Sequence, residues 1–97
     1  MSGYSLGEQA KQDIDEIWSY IAEDNETAAD RVVDSLFRQF EILAANPRIG
    51  RRRQEFRLDY RSIACDEYVI FYRVGDPDLL IVRILHGRRS LARILEP

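Results

Sequence analysis

Two short apolar strands joined by a turn constrain this chain more than any other feature. They read Tyr68-Val-Ile-Phe-Tyr-Arg73-Val74, then Gly75-Asp-Pro-Asp78, then Ile81-Val-Arg83-Ile-Leu-His86-Gly-Arg-Arg89. Each strand carries an arginine inside an apolar run. Burying a guanidinium costs several kcal/mol unless a carboxylate or a ligand meets it. Asp-Pro favours turn initiation, so a four-residue loop is expected, pairing Val74 with Leu79 and Tyr72 with Ile81. Strand alternation then puts Arg83 on one face with Tyr68, Ile70 and Tyr72, and Arg73 on the other with Val69, Phe71 and Val82. The arginine that faces the rest of the fold is expected to pair with a helix carboxylate. The other is left for solvent or a partner.

The 97 residues predict one domain spanning 1–97. Apolar runs reach only four or five residues, too short to span a membrane. The start lacks a basic segment followed by an apolar one, so no signal peptide is expected and the cytoplasm is the expected compartment. One cysteine, Cys65, excludes an internal disulfide. With one histidine beside it, no spacing suggests a metal site, and no cofactor is implied.

Charge is divided along the chain. Residues 1–47 hold three cations against ten acids, a net of −7; residues 48–97 hold eleven arginines against seven acids, a net of +4. Arginine suits bidentate, partly buried contacts to carboxylate or phosphate. One reading is that one half neutralises the other within the fold; the alternative is that the arginines meet a partner, and the first does not exclude the second.

Ser5-Leu-Gly-Glu8 has the pattern of a capping box. After it, Ala10, Ile14, Ile17, Trp18 and Ile21 form one helical face, with Asp13, Asp15, Glu16, Glu23 and Asp24 largely off it. Asp24-Asn-Glu26 breaks the helix. A second helix starts with Asn25 or Thr27 as cap and shows a wide stripe through Ala29, Val32, Val33, Leu36, Phe37, Phe40 and Leu43. Asn46-Pro47 ends it. Strands are expected at Tyr60–Cys65, Tyr68–Val74 and Leu79–Leu85, with Met1–Leu6 as a candidate fourth and Ser90–Leu95 as a last helical turn or two. The fold class is α+β: an N-terminal strand and an antiparallel helical hairpin on a three- to four-stranded antiparallel sheet. The run Arg48-Ile-Gly-Arg-Arg-Arg53 reads as a basic loop, either solvated or facing phosphate or an acidic partner. His86 has no nucleophile at a matching spacing, and general-base chemistry needs a second group in reach.

The order helix hairpin, Asn-Pro-x-Ile-Gly, Tyr-Arg-Ser-Ile, Tyr-Val-Ile-Phe-Tyr-Arg, Ile-Val-Arg-Ile-Leu-His-Gly-Arg-Arg resembles the RelE/ParE superfamily of type II toxins, most closely its ParE branch. Ala10, Asp13, Ile17, Ala29 and Phe37 fit the likeness, which covers roughly residues 4–93. The resemblance implies a small α/β toxin neutralised by a cognate antitoxin in a hetero-oligomeric complex. RelE-like members cut mRNA on the ribosome, whereas ParE-like members inhibit DNA gyrase and trap cleaved DNA. Measured against RelE, this chain has Val69 and Leu95 where RelE has an arginine and a tyrosine. Its one lysine, Lys11, lies on the first helix, and only Arg89 and Arg61 match. The resemblance therefore implies a non-enzymatic gyrase inhibitor with no catalytic residues.

On that reading Arg83, His86, Arg88 and Arg89 form the target-facing surface. A ParD-like ribbon-helix-helix antitoxin is the expected partner, and DNA is met only through it. The antitoxin takes a groove at Trp18, Ile21, Val33 and Phe37, or crosses arginines of the second half, including Arg61 and Arg73. The alternatives are a RelE-like ribosome-dependent endoribonuclease and a non-toxic antitoxin-binding module.

Overall fold

The computed structural model describes residues 3–57, 59–75 and 77–87. The elements run β1 (Tyr4–Leu6), α1 (Glu8–Ala22), α2 (Glu26–Ala45), β2 (Arg51–Arg52), β3 (Tyr60–Cys65), β4 (Tyr68–Arg73) and β5 (Leu79–His86). They build one five-stranded sheet in the order β1-β5-β4-β3-β2, with the helical hairpin packed on one face.

The sheet departs from the expected simple meander at both edges. β1 pairs parallel with β5, Tyr4 opposite Leu79 and Leu6 opposite Ile81. At the far edge the arginine run supplies a two-residue strand, Arg51 opposite Ser62 and Arg52 opposite Arg61. The sheet is thus mostly, not wholly, antiparallel. The capping box does not form, because Ser5 lies in β1 and Gly7 is the N-cap of α1 with no side-chain bond. At α2 the Asn25 side chain accepts from the Ala28 N–H at 3.0 Å, and Asn46 closes the helix before Pro47. The Ser90–Leu95 expectation lies outside the described residues.

The core lies between the hairpin and the sheet. Leu36, Phe40 and Leu43 of α2 and Ala10 and Ile14 of α1 meet Ile70, Tyr72, Ile81 and Ile84. The other face is smaller. There Phe71 is fully buried and meets Phe56 edge-on at 5.6 Å. Arg53 covers both rings, 5.0 and 5.3 Å from their centroids, and donates to Ser62 Oγ at 3.1 Å. One of the basic-run arginines is therefore a lid on a small aromatic cluster.

The register of β4 on β5 begins as the turn predicts, with Arg73 opposite Leu80 and Tyr72 opposite Ile81. A β-bulge follows, and Phe71 faces Arg83 and Ile70 faces Ile84. The extra residue, Val82, shifts everything beyond it by one. Arg83 is therefore not opposite Ile70 as strict alternation requires. Ile84 joins the core in its place, 2 % exposed.

Candidate functional site

The bulge works together with α1. Asp13 sits at a core position of that helix and is 6 % exposed. Arg83 Nε donates to its Oδ2 at 2.8 Å and Arg83 Nη2 to its Oδ1 at 3.0 Å. The backbone N–H of Ile84 donates to the same Oδ2 at 2.9 Å. One carboxylate thus takes a forked guanidinium and a strand N–H. The bond to Asp13 pushes the Arg83 pKa further up, against the opposing effect of burial. The expectation that the buried arginine of the two pairs with a helix carboxylate holds, and Arg83 is that arginine. The expectation that Asp13 lies off the buried face does not.

β1 covers only the first three residues of β5. Past Ile81, the N–H of Ile84 meets Asp13 instead of another strand. An open groove of about 470 Å³ runs along this part of β5 and α1, lined by Glu16, Ile17, Tyr20, Tyr68, Arg83 and His86 among others. Tyr20 is 77 % exposed at its rim. His86 lies opposite Tyr68 in the ladder, and the two rings meet edge-on at 5.5 Å. Gly87 then bonds back to the Glu67 carbonyl at 2.9 Å, tying the strand end to the β3–β4 turn. Arg88 and Arg89 lie outside the described residues. Of the residues expected to face a target, the two described are Arg83, held by Asp13, and His86 at the strand's end.

The second set does not form one patch. Trp18, Ile21, Val33 and Phe37 are all half-buried on the hairpin. Trp18 Nε1 donates to Asp30 Oδ1 at 2.8 Å, joining α1 to α2. Val33 and Phe37 follow Asp30 at spacings of three and four, on the same side of α2, and both pack against the core. Arg61 and Arg73 are elsewhere. Arg73 is at the end of β4 opposite to Tyr68 and meets Asp59 at 3.5 Å in an exposed pair.

Arg61 belongs to a clamp that sequence reasoning missed. Its Nη1 donates to the carbonyls of Arg48 (3.2 Å) and Gly50 (2.9 Å). Beside it the buried Tyr72 hydroxyl donates to the Pro47 carbonyl at 2.8 Å and accepts from the Gly50 N–H at 2.9 Å. Burial pushes the Tyr72 phenol above its usual range, with the Gly50 N–H bond and nearby Arg61 pulling the other way. Gly50 is required there because a Cβ would overlap the phenol ring. Asn-Pro-x-Ile-Gly is thus a structural loop pinned by β3 and β4. Asp13 had a readable signal: it falls between Ala10, Ile14 and Ile17 at helical spacing. Tyr72 and Arg53 had none beyond residue type.

A family model described as the ParE toxin of the type II toxin–antitoxin system, parDE, matches residues 4–91. The chain belongs to the ParE toxin family. It is 38 % identical to a protein named Toxin ParE1 from Caulobacter vibrioides, over 89 % of this chain and 90 % of that one. It is 34 % identical to a Toxin ParE1 from Mycobacterium tuberculosis, over 97 % and 98 %. A protein named Toxin RelE3 from Caulobacter vibrioides is 33 % identical over 90 % and 96 %. Among solved structures, one described as a chromosomal ParDE TA system from P. aeruginosa superposes with a TM-score of 0.75. It covers 89 % of this chain and 96 % of that one at 22 % identity, which speaks to the fold alone. The protein is therefore a ParE-family toxin of a type II toxin–antitoxin system. Among the described residues, no helix is long and apolar enough to cross a membrane.

Proposed function

We propose that this ParE-family toxin acts by binding, without turning over a substrate, and that its target is DNA gyrase in the cytoplasm. The observation that carries this reading is the family match over residues 4–91. The geometry adds support. Two groups able to hold a phosphate or move a proton, Arg61 and Tyr72, are engaged with the backbone of residues 47–50. The end of β5 is the surface we assign to the target. There His86, with Arg83 before it and Arg88 and Arg89 after it in the sequence, makes the target-facing set.

A ParD-like ribbon-helix-helix antitoxin neutralises the protein. Its helix takes the half-buried stripe at Trp18, Ile21, Val33 and Phe37, while Arg61 and Arg73 offer an acidic segment a second path. A reading frame for such a protein beside this gene is the expected genomic context. The test of the target is a supercoiling assay: purified toxin abolishes gyrase supercoiling, and the antitoxin restores it. Unchanged supercoiling at a large molar excess of toxin rejects gyrase.

A second reading is favoured by one observation, the 33 % identity to a protein named Toxin RelE3. On it the protein cuts mRNA on the ribosome. Defined mRNA cuts made only by translating ribosomes plus toxin would establish it, and His86→Ala would be the first variant to examine.

A further inference from the structure

We propose that Asp13 is the positioning residue of the toxin's target-facing end: by holding the bulge at Val82–Arg83 it decides on which face of the sheet His86 stands. The inference rests on the reading of His86 as target-facing, and goes beyond it by naming what places that residue.

Parity carries the argument. Side chains alternate along a strand, so one inserted residue exchanges the two faces for everything beyond it. Without the bulge, the pairing of Tyr72 with Ile81 would continue to Ile70 with Arg83 and Tyr68 with Leu85. His86 would then stand on the face away from the hairpin. With the bulge, Ile84 enters the core and His86 meets Tyr68 at 5.5 Å, beside α1. The register therefore has two solutions that differ in which residues face the helices.

Asp13 selects between them. In the bulged register the N–H of Ile84 points away from β4, at a position β1 does not reach, and Asp13 Oδ2 accepts it at 2.9 Å. The same carboxylate grips Arg83, the second residue of the bulge, through two bonds. Both contacts come from a side chain that is 6 % exposed and seventy positions distant along the chain. Removing it leaves a strand N–H and a guanidinium without their acceptor. It also removes three hydrogen bonds that tie α1 to this part of β5.

The experiment uses the full chain and exploits its single histidine. Asp13→Ala strands a half-buried guanidinium and puts folding itself at risk. A second variant, Asp13→Leu with Arg83→Met, replaces the pair by apolar groups and keeps α1 seated. Wild-type protein should show a nuclear Overhauser contact between the His86 imidazole and the Tyr68 ring, whose centroids are 5.5 Å apart. It should also arrest growth when induced alone. In the apolar pair we expect that contact to vanish and the inducer needed for arrest to rise by about tenfold or more, with Tm within a few degrees of wild type. A retained His86–Tyr68 contact overturns the proposal, and so does wild-type arrest in a variant that has lost the contact. His86→Ala tests the underlying reading separately: full arrest there removes His86 from the target surface, and with it the functional half of the proposal. Growth arrest does not depend on which target is hit, so failure of the gyrase assignment shows in the supercoiling assay of wild-type protein and leaves this test unaffected.

Discussion

Asp13 and Arg83 form a bidentate pair across seventy positions of sequence, at 2.8 and 3.0 Å, with side chains 7 % and 20 % exposed. Breaking such a pair from one side leaves the other charge uncompensated. Asp13→Ala and Arg83→Ala should each cost about 2–4 kcal/mol, lowered somewhat by the residual exposure of Arg83. The double variant should cost clearly less than the sum of the two. Urea titrations of the four proteins measure this, and simple additivity would mean that the pair contributes no coupling.

The Tyr72 hydroxyl closes two hydrogen bonds to the loop after α2. Tyr72→Phe leaves the Gly50 N–H and the Pro47 carbonyl without that partner and should cost about 1–3 kcal/mol. It should also change the alkaline limb of stability. The folded pKa of Tyr72 lies above its ordinary value of 10.0. Stability from the neutral phenol is therefore complete below about pH 10 and is lost as pH rises through the folded value. Tyr4 is shifted in the same direction, by burial and by Glu41, so the variant's alkaline loss should be reduced and not abolished. Denaturation midpoints between pH 8 and 11 would show this (roughly the window set by an ordinary phenol); an unchanged slope in the variant contradicts it.

Gly50→Ala places a methyl group against the Tyr72 hydroxyl oxygen, its nearest contact, and 2.7 Å from Cε1 and 2.8 Å from Cζ. Removing the hydroxyl relieves the first contact and leaves the two ring carbons. The substitution should cost about 1–3 kcal/mol, and the variant carrying Tyr72→Phe as well should recover part of it and not all. Thermal melts of the single and double variants decide the point.

Trp18 is the only tryptophan of the chain and its indole N–H donates to Asp30 across the hairpin. Trp18→Phe should cost about 1 kcal/mol. More usefully, the half-buried indole reports on the groove. An antitoxin helix seated at Trp18 and Phe37 should shift its emission to shorter wavelength as water leaves the ring. A bound complex with unchanged emission would move the docking site to the arginines of the sheet.

The parts legible in the sequence were those set by local pattern. The hairpin followed from two apolar stripes and a cap at Asn25 or Thr27, of which Asn25 is the one formed, and the pairing of Tyr72 with Ile81 from the turn between them. That one of Arg73 and Arg83 needs a helix carboxylate followed from the cost of burying a guanidinium; that it is Arg83 did not. What escaped depends on contacts between distant residues. The bulge at Val82 arises where Ile84 packs in the core and its N–H finds Asp13, neither of which alternation along one strand can show. The parallel pairing of β1 with β5 is a crossover between chain ends. Arg51 and Arg52 read as loop because two charged residues carry no strand signal, and they pair only because β3 lies alongside. The candidate site was legible as a residue list and not as a surface. Arg61 belongs to a loop clamp, Arg73 lies at the far end of the sheet, and His86 stands where the bulge puts it.

The central claim is that this ParE-family toxin stops gyrase by binding it. The most direct measurement is plasmid supercoiling by purified gyrase with the toxin titrated in, followed on the same gel for linear DNA released from trapped cleavage complexes. The account predicts loss of supercoiling, accumulation of linear plasmid, and reversal of both by the cognate antitoxin. Full supercoiling and no linear product at a large molar excess of toxin would contradict it.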